Sequence, residues 1–289
     1  MAGVGAKERL AKIEIIRPGA ALTLAKIEGW QVTAPRSDGW PIPANAGAVS
    51  RLVEAIADLR LEETITENPS RQSAFEVDDS SGTRLRASAM NGTVLLDLIV
   101  GKASADGNRL YVRRPQEAVV RLAGGLDPTS VRRDTQDWFD RTLLRFDPQA
   151  VSAVQIRGSS GVVFLAKSSV AWTVNGLPAS TTAVQNYINS FSSAWADEVV
   201  LGRAPPSGLG LDKPRVVLTI TDSLGPHILE VGRIAASSIG AGPRGPQAIQ
   251  AGPPSPVKLR YVRATPGGLL FLLSDAAVQT WDKPAKAFR

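Results

Sequence analysis

The chain of 289 residues contains no cysteine and a single histidine, His227. The first absence excludes disulfides, thiolate metal sites and thiol nucleophiles together, without fixing the compartment. The second removes the common zinc ligand sets, which need several imidazoles or thiolates. Long apolar runs are missing as well. No stretch approaches the roughly 18 residues of a spanning helix, and the first ten residues lack the apolar segment of a signal peptide. Neither Gly-x-x-x-x-Gly-Lys-Ser/Thr nor Gly-x-Ser-x-Gly occurs, so no phosphate-cradling loop or nucleophile elbow is written in the chain. Charge of one sign is not in large excess: 33 basic residues against 27 acidic give +6, which permits contact with anionic surfaces but is mild for this size.

What the chain has instead is repetition. Ile13-Glu14-Ile15-Ile16-Arg17 returns in outline at 154–158, and Gly29-Trp30-Gln31-Val32 as Ala171-Trp172-Thr173-Val174. Val100-Gly101-Lys102 returns as Val231-Gly232-Arg233, and Tyr111-Val112-Arg113 unchanged as Tyr261-Val262-Arg263. The echoes keep their order. Each set opens with three short alternating runs (12–16, 22–25 and 30–33; then 152–157, 162–166 and 171–174), punctuated by turns such as Pro18-Gly19. The period then changes to that of a helix. Val49, Leu52, Val53, Ile56 and Leu59 form one stripe behind the N-cap Asn45; Val184, Tyr187, Ile188, Phe191 and Ala194 form the other behind Ser180. Asn45 to Ser180 and Val49 to Val184 are both 135 positions apart, so cap and stripe are preserved together while the side chains change. Further strands are predicted at 61–66, 85–89, 94–100, 110–113 and 118–122, and at 198–201, 216–221, 228–231, 259–263 and 269–273.

The expected architecture is α+β: two tandem homologous repeats, each a mainly antiparallel sheet with one principal amphipathic helix packed on it. Residues 1–10 are a flexible lead-in, 11–126 the first repeat domain, 127–150 a connecting segment and 151–289 the second repeat domain. Within the latter, 234–256 reads as a mobile Gly/Pro-rich loop.

Chemistry is sparse. His227, beside Pro226, is expected at a surface or turn. Glu62-Glu63 and Asp78-Asp79 are the obvious carboxylate pairs, but neighbours on a strand point to opposite faces and do not converge on one substrate. The eight arginines between Arg109 and Arg145 are diluted by five acids, and alternation places Arg109, Arg113 and Arg121 opposite the core. Trp30/Trp172 and Trp138/Trp281 read as two repeated pairs of core anchors. Trp40, in the loop 35–43, has no counterpart and is the tryptophan expected to be exposed. At Gly101-Lys102 and Gly232-Arg233 the glycine is expected to hold a special backbone angle, followed by an exposed cation. The candidate contact residues are therefore Trp40, Lys102, Arg233, Arg113 and Arg133. No catalytic residue, metal ligand or cofactor is expected.

The Gly-Trp strand end, the helix of form Val-x-x-Leu-Val-x-x-Ile-x-x-Leu, the Val-Gly-Lys and Tyr-Val-Arg elements and the stretch from Trp138-Phe139-Asp140 to Leu144-Arg145-Phe146-Asp147 together resemble the DUF4340 family of bacterial proteins. The resemblance runs from about Ala11 to Asp282. It implies an extracytoplasmic protein on the periplasmic side of the inner membrane, typically following one N-terminal membrane helix and encoded beside ABC-transporter and gliding-motility-type components. Any such helix lies outside this sequence. The expected partners are proteins of a membrane transport or envelope complex, with no nucleic acid and no small-molecule ligand, and the expected role is a non-catalytic binding or scaffolding module. Two alternatives predict different features: a hydrolase needs carboxylates converging in an inter-domain cleft, and a binder of nucleic acid or another anionic polymer needs a continuous positive face from Arg109 to Arg145.

Overall fold

The computed structural model describes residues 9–37, 40–169, 171–202, 205–235 and 257–289. Residues 1–8 of the lead-in, Asp38-Gly39 of the loop 35–43 and 236–256 of the Gly/Pro-rich loop lie outside the described residues. The protein is α+β and divides into two compact units, Met1–Asp140 and Arg141–Arg289. Each unit holds one nine-stranded sheet, and all strand pairings are antiparallel.

In the first unit a meander of β1 (Leu10–Arg17), β2 (Ala20–Lys26), β3 (Trp30–Thr33) and β4 (Ile42–Pro43) leads into the helix Ala46–Asp58. The chain then crosses to the far edge as β5 (Arg60–Thr66), and β6 (Thr83–Ala89), β7 (Val94–Ala103), β8 (Leu110–Arg113) and β9 (Val120–Gly124) fill the space between, in the order β4-β3-β2-β1-β6-β7-β8-β9-β5. The second unit uses β10 (Ala153–Gly158), β11 (Gly161–Lys167), β12 (Trp172–Val174), β13 (Leu177–Pro178), the helix Thr181–Ser192, β14 (Glu198–Val199), β15 (Val216–Asp222), β16 (Gly225–Ile234), β17 (Leu259–Thr265) and β18 (Leu269–Ser274). Its order, β13-β12-β11-β10-β15-β16-β17-β18-β14, repeats the first step for step. The two-residue edge strands β4 and β13 carry no alternation to read, which is why the sequence pattern passes over them.

Alternation decides the inner face of each sheet. Ile13, Ile15, Leu22, Leu24, Leu85, Leu98 and Val112 are buried, as are Val154, Ile156, Val163, Leu165, Leu218, Leu229 and Val262. The helices bury most of the stripes expected of them: Val49, Leu52, Val53 and Ile56, joined by Ala48, in one, and Val184, Tyr187, Ile188 and Phe191 in the other; Leu59 is buried at the C-cap of the first, and Ala194 lies beyond the second, half-buried. Asn45 Oδ1 accepts from the Ala48 N–H at 3.0 Å and Ser180 Oγ from the Ala183 N–H at 3.3 Å, so both caps form.

Each cap residue is also anchored through its own backbone. The Asn45 N–H donates to the Trp138 carbonyl, and the Ser180 N–H donates to the Phe288 carbonyl, both at 2.8 Å. These two acceptors end equivalent 3-10 turns, Thr135–Trp138 and Ala285–Phe288, and both side chains are buried. The partner of Trp138 is thus Phe288, and the pairing of Trp138 with Trp281 is corrected. Trp138 to Phe288 spans 150 positions, the spacing of Tyr111 to Tyr261; identical letters point to Trp281 only because the aromatic at the matching position is phenylalanine.

Gly101 and Gly232 are corrected as well. Neither has a positive φ. They are required by close approach: a Cβ on Gly101 would lie 2.1 Å from the Phe75 carbonyl oxygen, and one on Gly232 would lie 2.2 Å from that of Leu209. At both places the strand bulges, with the register shifting between Val100 and Ala103 and between Val231 and Ile234. The segment carrying Phe75 folds over the second face of the first sheet, where Val77, Ile99 and Val120 form a small separate core against Phe75 and Tyr111.

Candidate functional site

The second covered face explains Arg113. Ile99, Arg113 and Val120 stand opposite one another on β7, β8 and β9, hence on one face. That face is not solvated at this point, so Arg113 is only 5% exposed instead of standing free opposite the core. Its Nε donates to the Val77 carbonyl at 2.8 Å, one terminal nitrogen reaches the Arg114 and Glu117 carbonyls, and the other pairs with Asp79 at 2.5 Å. Arg113 therefore binds the covering segment to the sheet, and Asp79 serves it.

The other four candidates stay nearer the surface. Trp40 is 55% exposed within the loop 35–43, its backbone N–H donating to the Ser37 carbonyl. Lys102 is exposed, with Nζ 6.0 Å from the centre of the Phe75 ring, and Arg233 is exposed beside the bulge at Gly232. Arg133 lies over the Trp138 ring at 5.6 Å, and its Nε is buried without a hydrogen-bond acceptor. The first unit brings together Lys102 and Phe75 on one hand and Arg133 and Trp138 on the other. It does not gather the candidates into one site.

Much of the positive charge between Arg109 and Arg145 is matched locally. Arg109 meets Asp106 at 2.9 Å and Glu62 at 3.4 Å, Arg114 and Arg121 share Glu117, and Arg132 meets Glu76 at 2.8 Å. Asp106 is lowered to about 2 by hydrogen bonds from the Ser104 hydroxyl, the Asn108 N–H and Arg109. Asp78 is also held well below the usual carboxylate range, first by the Ser80 and Ser81 hydroxyls, in a local turn that leaves its carboxylate fully engaged. Among the described residues no three His, Cys, Asp or Glu side chains are grouped to hold a metal.

His227 departs from expectation. It is buried on β16, its Nε2 3.1 Å from Asp222 Oδ1 and its ring 5.9 Å from that of Phe146. The two groups are within reach of each other, but the ring nitrogen is not aligned for a hydrogen bond. Burial raises the Asp222 pKa, yet the Leu224 N–H at 2.8 Å, the His227 ring and the Asp147 N–H at 3.4 Å outweigh it, and the net shift is downward. Asp222 thus fastens the β15–β16 turn to the strand entry near Asp147. An adjacent proline is a turn signal, and it concealed an inward-pointing position.

The second unit exposes apolar side chains on β11 where β2 of the first does not; on that face the first unit exposes Ile16 of β1 instead, 44% exposed and opposite Ala21. Val162 and Phe164 on β11 are 52% and 44% exposed, pointing away from buried Val163 and Leu165, and Leu177 on the edge strand β13 is also exposed. The matching residues of β2, outward from Leu22 and Leu24, are Ala21 and Thr23.

Residues 30–214 match the sequence model of the domain of unknown function DUF4340. The chain belongs to this family. The matched range runs from β3 across the boundary at Asp140 and past β14, so it takes in parts of both units and is shorter at each end than the motifs suggest. No curated protein and no solved structure matches this DUF4340 chain. No helix among its described residues is long and apolar enough to cross a membrane.

Proposed function

We propose that this DUF4340 protein is a non-catalytic binding or scaffolding module, an accessory subunit of a bacterial envelope or ABC-transporter-linked complex on the periplasmic side of the inner membrane. In this reading one ancestral sheet-and-helix unit was duplicated. The common strand order, the paired caps and the paired closing turns support it, since all three serve the scaffold. Specific contacts then belong where the units differ. The observation that carries the reading is the exposed outward pair Val162 and Phe164, in place of Ala21 and Thr23. Neighbouring apolar side chains on an outward sheet face favour burial against a protein partner. Trp40 supplies a comparable contact on the first unit.

The test is site-specific photo-crosslinking in the native cell, with the reactive residue at position 162 or 164 and, as a control, at 21 or 23. Adducts with transporter or envelope components from 162 or 164 alone support the proposal. Absence of adducts there, or adducts only with soluble metabolic enzymes, overturns it.

A further inference from the structure

We propose that the first unit holds a binding cleft for a carboxylate, presented by an acidic peptide segment. The cleft is open, about 480 Å³, and lined by Pro128, Thr129, Arg132, Arg133 and Asp137. Arg133 lies over the Trp138 ring at 5.6 Å, a cation–π contact that restrains its guanidinium before any ligand arrives. Its Nε is buried with no acceptor, so this guanidinium is less satisfied than Arg113, whose nitrogens reach carbonyls and a carboxylate. An unmet buried donor costs free energy that a small shift toward an anion would recover. Arg132 lines the same cleft, held at its outer end by Glu76.

The charge count selects the ligand. The lining charges, Arg132 and Arg133 against Asp137, sum to +1 and leave room for one negative charge; Glu76, outside the lining, pairs with Arg132 through exposed groups that water screens. A carboxylate fits that balance and the planar fork of a guanidinium; a phosphate dianion meets repulsion from Asp137.

The second unit provides an internal comparison. At the spacing of 150 that relates Trp138 to Phe288, Arg133 corresponds to Lys283 and Asp137 to Ala287. Lys283, Ala287 and Phe288 line a cleft of about 320 Å³ with Tyr187 and Ser190. There Arg132 is replaced by Asp282, whose carboxylate accepts from the Ser159 N–H and hydroxyl. The two-guanidinium arrangement belongs to the first unit alone. This inference does not depend on the envelope role proposed above, because it rests on the cleft's own donors.

The experiment follows arginine side-chain N–H resonances of the whole chain by NMR, assigned through R133K and R132K. The probes are N-acetylglycine, which offers a terminal carboxylate, N-acetylglutamate α-amide, which offers a side-chain carboxylate, and inorganic phosphate where it is mainly the dianion. A saturable shift of the Arg133 and Arg132 signals with either carboxylate is expected, and the tighter probe identifies the source. R133Q is expected to weaken binding by about tenfold or more, R133K to weaken it less, and K283Q to leave it unchanged. Since Arg133 is partly exposed, R133K retains the charge and the fold if R133Q does not. No saturable shift with either carboxylate, phosphate binding as tight as theirs, or full retention in R133Q overturns the proposal.

Discussion

Replacing Gly101 by alanine tests the reading of the Gly-cation repeat. The added Cβ would sit 2.1 Å from the Phe75 oxygen and 2.6 Å from Val77 Cγ1. Comfortable contact begins near 3.5 Å, so the strand or the covering segment must yield by roughly 1.4 Å. If both stay in place the strain is that of an overpacked core, about 1–3 kcal/mol. If the segment lifts off, Val77 and Ile99 lose their cover at about 1.5–3 kcal/mol each, partly offset by the freedom the segment regains. The cheaper route sets the outcome, so a loss of about 2–3 kcal/mol is expected, a fall of roughly 1 M in the urea midpoint of the first unit. Hydrogen exchange separates the two routes. The Val77 N–H donates to the Gln72 carbonyl at 3.1 Å; it stays protected under strain and exchanges quickly if the segment undocks. Gly47 is the control. In its helix an added Cβ meets nothing closer than Asn45 Oδ1 at 3.5 Å, so G47A is expected to be neutral or to stabilise by up to about 1 kcal/mol. A G101A midpoint equal to wild type refutes the close-approach argument.

Four further outcomes are expected. N45A and S180A each cost about 1 kcal/mol in urea unfolding, since each removes one cap acceptor; a cost in one unit only contradicts their equivalence. F288A costs about 3–5 kcal/mol, while W138F costs much less than W138A, because the second unit already uses phenylalanine there; calorimetry of the three variants decides. D275N costs about 3 kcal/mol by stranding Arg260, which is only 8% exposed and donates to Asp275; an unchanged midpoint refutes the pairing. Asp222 has a lowered folded pKa, so its stabilisation is present above the unfolded carboxylate value near pH 4 and is lost as pH falls through the folded value. D222N is expected to flatten the acid limb of the stability curve below about pH 4, and a limb as steep as wild type counts against it.

How far the chain could be read depended on which physical signal a residue carried. Periodicity and caps are local, so most strands and both helices with Asn45 and Ser180 were legible. Alternation assumes that one face of a sheet meets water. Where the segment with Phe75 and Val77 covers that face, the rule misplaced Arg113, and nothing near Arg113 in sequence announces a cover 36 residues away. His227 was misplaced because its partner Asp222 lies across a hairpin turn and reads as a turn residue. Among the candidate contacts, Trp40 was legible from its loop. The unmet Nε of Arg133 is a matter of three-dimensional packing, and no spacing in the sequence shows it.

The carbonyls of Trp138 and Phe288 also bear on how the protein is made. In each unit the middle of the sheet joins early and late strands, β1 to β6 and β10 to β15, and the edge strands β5 and β14 wait for β9 and β18. Pairings so distant in sequence form slowly and only after the intervening chain exists. The N-cap of each long helix adds a last requirement, an acceptor that leaves the ribosome some 90 or more residues after the cap itself. The first unit therefore has all its own fastenings once Trp138 and Asp140 have been synthesised, before a single strand of the second sheet is available to compete for its edges.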